Sequence, residues 1–140
     1  MKLRDQKLHI YYSKRQNSFK CELVVKGEQN RVVEHLCEAE HEKLWNKQVS
    51  ESQVKWAISS ENACIFYRKQ KSIGEWFRER DFLFIRYLFR KGDCHFIVDR
   101  SIDNNHFIPF QSIQRGFIHH CIFKVQSIQG GVLLHIDYKV

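Results

Sequence analysis

Leu8 to Tyr12 forms a short apolar run. The polar stretch Ser13-Lys14-Arg15-Gln16-Asn17-Ser18 breaks it, and a second run extends from Phe19 to Val25. Two β-rich segments around a polar turn predict a hairpin, which Gly27 ends. From Asn30 to about Lys47 the period changes: Val33, Leu36, Cys37 and Leu44 fall on one helical stripe, with Glu34, Glu38, Glu42 and Lys43 mostly elsewhere. This spacing predicts one long helix. Asn30 would be its N-cap, because its side chain can accept a backbone N–H. Trp45 would anchor the core where helix meets sheet.

Beyond that helix the pattern is almost all strand. Val54 to Ser59 and Ala63 to Lys69 flank the turn Ser60-Glu61-Asn62, and Phe82 to Phe89 and His95 to Ile102 flank Lys91-Gly92-Asp93. Phe117 to Val125 and Val132 to Tyr138 flank Gly130-Gly131. The order β-β-α followed by six strands implies an α+β fold with one mainly antiparallel sheet wrapped around one long helix. Alternation along Phe82 to Phe89 puts Phe82, Phe84, Arg86 and Leu88 on one face, and Leu83, Ile85, Tyr87 and Phe89 on the other. Both faces are apolar, so this strand is expected to be covered on both sides or to border a cavity.

A length of 140 residues suits a single domain spanning 1–140, and 43% hydrophobic residues exclude disorder. A net charge of +7 permits contact with anionic membranes or acidic partners, but the basic residues are scattered and form no basic tail. Cys21, Cys37, Cys64, Cys94 and Cys121 are widely spaced without a CxxC pair, which predicts free thiols. The start meets charge before any apolar run, so no leader peptide is read there and a cytoplasmic location is expected.

Arg115-Gly116-Phe117 begins like an RNA-binding string, but Ile118-His119-His120-Cys121-Ile122 departs from it, and no nucleic-acid partner is expected. Of His119, His120 and Cys121 only two can share a strand face, too few for a zinc site. No nucleophile elbow, P-loop, HExxH or dinucleotide fingerprint is present, so no cofactor is expected. If the chain were an enzyme, its acid or base would come from Asp99, His95 or His135. Trp76-Phe77 is read either as loop packing or as a membrane-touching pair.

Arg80-Asp81-Phe82 with Arg86 four residues on, Leu44-Trp45-Asn46 upstream, and Arg100-Ser101-Ile102 and Gln114-Arg115-Gly116 downstream stand in a definite order. That ordered set resembles the START family of lipid-transfer domains across roughly Leu8 to Val140. The resemblance implies a helix-grip fold enclosing a site for one lipid or sterol-like ligand, with Arg86 on its wall. In that family the arginine often pairs with an acid on the preceding strand; here Ile65-Phe66-Tyr67-Arg68-Lys69 offers none. Asp99 is the expected substitute, from a register that sets Arg86 opposite Ile97 and Asp99 opposite Phe84.

On this reading the ligand wall comprises Ala63, Ile65, Tyr67, Phe82, Phe84, Arg86, Leu88, His95, Ile97, Asp99, Leu134 and Ile136. The family's terminal helices are not seen in the chain, so Phe84, Ile97, Leu134 and Ile136 are expected to line an open cleft that favours self-association. Peripheral membrane contact is the remaining partner expectation. The rivals to a lipid binder are a helix-grip enzyme acting on a bound hydrophobic substrate and a scaffold whose cleft takes a protein.

Overall fold

The computed structural model describes residues 8–58, 62–72, 78–102 and 113–139. Strands β1 (Leu8–Ser13) and β2 (Ser18–Val25) form the expected hairpin, with Asn17 at φ 48° closing the turn. Two helices follow, α1 (Gln29–Cys37) and α2 (Ala39–Trp45). The remaining strands are β3 (Val49–Ile58), β4 (Ala63–Gln70), β5 (Arg80–Lys91), β6 (Cys94–Ser101), β7 (Gln114–Arg115), β8 (His120–Ile128) and β9 (Gly131–Lys139). They build one curved sheet in the order β1-β2-β9-β8-β6-β5-β4-β3, antiparallel throughout, with the short β7 pairing parallel to β5.

The single helix expected over Asn30 to Lys47 is two helices, interrupted at Glu38 (φ −77°, ψ 125°). The interruption coincides with a partner from the sheet. In a continuous helix the carbonyls of Leu36 and Cys37 would accept from the N–H groups of residues 40 and 41. Here Arg86 Nη1 donates to both carbonyls, at 2.9 and 3.2 Å, so an arginine from the sheet satisfies them. The turn lost at Glu38 rotates α2: Val33, Leu36 and Ala39 are buried, Cys37 is half-buried, and Leu44 is 73% exposed. Trp45 is 39% exposed and donates from Nε1 to the His35 carbonyl at 3.0 Å, so it staples α2 to α1 and does not anchor the core. The N-cap is Glu28, which makes no side-chain cap bond. Gln29 instead pins the start of α1, with Nε2 donating to the carbonyls of Asp93 (2.6 Å) and Val125 (2.9 Å).

The concave face of the sheet carries the core: Phe66, Phe82, Phe84, Ile97, Cys121, Phe123, Val125, Val132 and Leu134, closed by Val33 and Leu36 of α1. The β5–β6 turn is Gly92-Asp93, with Lys91 opposite Cys94 and Gly92 at φ 62°. This slides the expected register by two residues. Arg86 lies opposite Asp99, Leu88 opposite Ile97 and Phe84 opposite Ser101. An even slide keeps every side chain on its face, so Arg86 and Asp99 still point the same way.

The family-like strings converge at one corner. The Asp81 carbonyl accepts from Gly116 N–H at 2.7 Å, and the buried Asp81 carboxylate takes Arg115 through Nε (2.6 Å) and Nη2 (3.2 Å). Gly116 lies so close over the Phe82 ring that a Cβ there would collide with it. Ser101 Oγ accepts from Ile118 N–H at 2.7 Å. Residues 73–77, with Trp76-Phe77, lie outside the described residues. No helix among the described residues is long and apolar enough to cross a membrane.

Candidate functional site

Strand pairing identifies the concave-face residues. Arg86 on β5 faces Cys64 on β4, Phe84 faces Phe66, and Phe82 faces Arg68. On the other side Asp99 leads to Cys121, and Ile97 to Phe123. Phe66 and Phe84 stack at 5.5 Å between the two arginines. The Arg86 guanidinium lies over Phe66 (4.5 Å) and that of Arg68 over Phe84 (4.7 Å). This apolar strip therefore carries two buried cations, and each has an acid.

Arg86 is 3% exposed and meets Asp99 in a fork, Nε to Oδ1 at 2.7 Å and Nη2 to Oδ2 at 2.8 Å. Burial alone would work against its charge; the Asp99 carboxylate more than offsets this and holds Arg86 above its usual range. Arg68 pairs with Glu42 of α2, a close contact that is not aligned as a hydrogen bond. The other Glu42 oxygen accepts from Ser52 Oγ at 2.6 Å. Glu42 can turn inward because the break at Glu38 rotated α2 toward the sheet.

The helix pair leaves two adjoining hollows against strands β3 to β5. The larger, about 550 Å³, has Phe66, Val54 and Ala39 as its apolar surface and Glu38, Glu40 and Gln53 among its polar lining. The smaller, about 230 Å³, is lined by Ala57, Asn62, Ala63, Arg86 and Leu88. Cys37 and Cys64 line both, so the hollows form one cleft divided by two thiols. Burial pushes the Cys37 thiol up to about 11, with Arg86 the largest opposing influence, so its sulfur stays protonated and neutral near pH 7.

Of the wall expected from the sequence, Ala63, Arg86 and Leu88 line this cleft. Phe82, Phe84, Ile97 and Leu134 are buried in the packed core, so the open cleft expected over Phe84, Ile97 and Leu134 is filled; Ile136 packs half-buried against the same core. Asp99 is buried behind Arg86. His95 is half-buried on the same face. Ile65 and Tyr67 lie opposite Ile85 and Leu83, on the convex face. There Tyr67 donates to Asp81 at 3.2 Å, and burial together with that carboxylate pushes its phenol up to about 12. Ala63 belongs to the same convex row but reaches the cleft at the strand end. His135 also faces outward, with Nδ1 3.0 Å from Glu22.

The sequence reading sets Ala63, Ile65 and Tyr67 on the wall, whereas the structure turns Cys64, Phe66 and Arg68 inward, one residue out of phase. Both parities of Ala63-Cys64-Ile65-Phe66-Tyr67 are apolar, so alternation holds no phase information there. Cys64 and Phe66 escape the sequence reading for this reason, and Val54 and Ala57 because β3 carries a register shift between Val54 and Trp56; Cys37 ends α1, where the helical stripe marks it as core and not as cleft lining. Among the described residues no cluster of His, Cys, Asp and Glu could hold a metal.

A family model described as START domain matches residues 3–137. The solved structure of human StAR-related lipid transfer protein 5 is similar with a TM-score of 0.81 and 16% identity, over 98% of this chain and 72% of that one. Human STARD10 gives a TM-score of 0.77 and 15% identity, over 94% of this chain and 59% of that one. A STAR-related lipid transfer protein from Xanthomonas axonopodis gives 0.76 and 16%, over 100% of this chain and 78% of that one. No curated protein matches the sequence.

Proposed function

The chain belongs to the START domain family, and from that premise we propose that it binds one lipid or sterol-like molecule non-covalently in the cleft between its helix pair and strands β3 to β5. The family is one of lipid and hydrophobic-ligand binding and transfer. The observation that carries the reading is the cleft itself. Its larger hollow of about 550 Å³ is floored by Phe66 and Val54. That size and mostly apolar lining suit a small-molecule site, where apolar walls supply affinity and a few polar groups fix orientation.

Relatives of this kind are generally binding proteins without enzymatic activity. The concave face supports the same reading here. Of the three acid–base candidates, Asp99 is held at both oxygens by Arg86, His135 faces outward against Glu22, and His95 is half-buried on the concave face but is not among the residues lining the cleft. Self-association and membrane contact belong to the same proposal. They would draw on exposed apolar side chains such as Ile10, Tyr12 and Phe19 on the β1–β2 hairpin.

Native mass spectrometry of the purified chain, with solvent extraction of whatever it carries, tests the reading. The expected result is a one-to-one adduct whose mass is that of an extractable lipid. A bare protein that stays bare after incubation with mixed lipids and sterols would remove the proposal.

A further inference from the structure

Resting on that lipid-binding reading, we infer that the cleft selects an uncharged ligand carrying a single hydrogen-bond-accepting group, and rejects amphiphiles with an anionic head. The argument begins with Arg86, the only basic side chain lining the cleft among the described residues. A guanidinium has five N–H donors, and it recognises a carboxylate or phosphate by offering two of them in parallel. Four are already committed: two to Asp99 and two to the carbonyls of Leu36 and Cys37. One donor remains, and the charge behind it is neutralised by Asp99. A hydroxyl or carbonyl oxygen can be served by one donor; an anionic head would find no free fork.

The other lining groups point the same way. Glu38 and Glu40 border the larger hollow, so an incoming anion meets like charge. Arg68, whose guanidinium lies over the Phe84 ring, is held by Glu42, which in turn is held by Ser52. Cys37 and Cys64, shared by both hollows, are thiols whose ionisation burial opposes, so neither adds a charge at neutral pH. The chain as a whole carries +7, yet its cleft offers an anion no free fork of charged donors. Net charge alone would suggest the opposite preference.

Matched probes differing only in head charge test this: cholesterol against cholesterol sulfate, and monopalmitoylglycerol against palmitate at pH 8, titrated into the intact chain. The uncharged member of each pair should bind more tightly by about tenfold or more, the scale of one charge-assisted hydrogen bond left unmade. Two variants locate the cause. Glu38→Gln with Glu40→Gln changes only exposed carboxylates and should narrow the gap. Asp99→Asn removes the counter-charge and one of the two acceptors of the Arg86 fork and, where the variant stays folded, should narrow it further. Equal or tighter binding of the anionic members to the unaltered chain overturns the selectivity while leaving the lipid site in place. A gap that both variants leave unchanged also overturns it. Failure of all four probes to bind would remove the underlying site as well.

Discussion

Arg86 joins sheet to helices, and its chemistry sets the cost of disturbing it. Asp99→Asn removes the counter-charge and leaves a buried guanidinium, which should cost about 3–5 kcal/mol of stability in urea denaturation. Replacing both partners, Arg86→Met with Asp99→Leu, should recover much of that loss, because the desolvation penalty disappears with the charges. Arg86 also serves the carbonyls of Leu36 and Cys37, so recovery should be incomplete.

The thiols give a second test at this scale. Burial pushes Cys37 from the ordinary 9.0 up to about 11 and Cys121 up to about 12. Between pH 9 and 11 the unfolded chain has therefore lost protons that the folded chain retains. The stability slope is then negative: the contribution is complete below pH 9.0 and is lost as the pH rises toward the folded values. Denaturation midpoints should fall over this window, and alkylation of Cys37 in the folded chain should lag well behind that in urea.

The helices show what the sequence could and could not display. Its apolar stripe correctly marked Val33 and Leu36 as buried. Leu44 continued the same periodicity but is exposed, because the break at Glu38 resets the phase, and the carbonyls at the break are met by Arg86 fifty residues away. Local spacing cannot report a partner that distant. Leu36→Ala should therefore cost about 2–5 kcal/mol, as for a packed core leucine. Leu44→Ala should change stability by no more than about 0.5 kcal/mol, the usual range for a surface site. Equal losses at both positions, measured by chemical denaturation, would mean one continuous helix.

Among the strands, turn chemistry at Gly27, Gly92 and Gly130 was legible, because all three hold positive φ. The face of β5 was legible because Arg86 interrupts an apolar row, whereas that of β4 was not, because both its rows are apolar from Ala63 to Tyr67 and both then meet a basic residue, Arg68 or Lys69. The pairing of Asp81 with Arg115 across β5 and β7 had only the ordered family-like strings as its signal. Gly131→Ala should be strongly destabilising: a Cβ there would stand 2.5 Å from the Val25 carbonyl oxygen. A thermal melt unchanged by that substitution would contradict the β2–β9 packing.

At the scale of the whole molecule the sheet is open, with β1 at one edge and β3 at the other. The cleft lies at the β3 end, beneath the broken helix pair. At the β1 end, Ile10, Tyr12 and Phe19 form an exposed strip on the concave side, with Tyr12 and Phe19 in ring contact at 4.7 Å. Contiguous exposed apolar side chains attract other apolar surfaces. Tyr12→Lys with Phe19→Lys should therefore lower hydrophobic-dye binding without changing ligand uptake by the distant cleft. The central claim is that the cleft, and not this strip, holds the lipid. The most direct test is photo-cross-linking with a diazirine-bearing sterol, followed by peptide mass spectrometry. The account predicts adducts on peptides containing Cys37, Val54, Cys64 or Phe66; adducts confined to the β1–β2 hairpin or the convex face would contradict it.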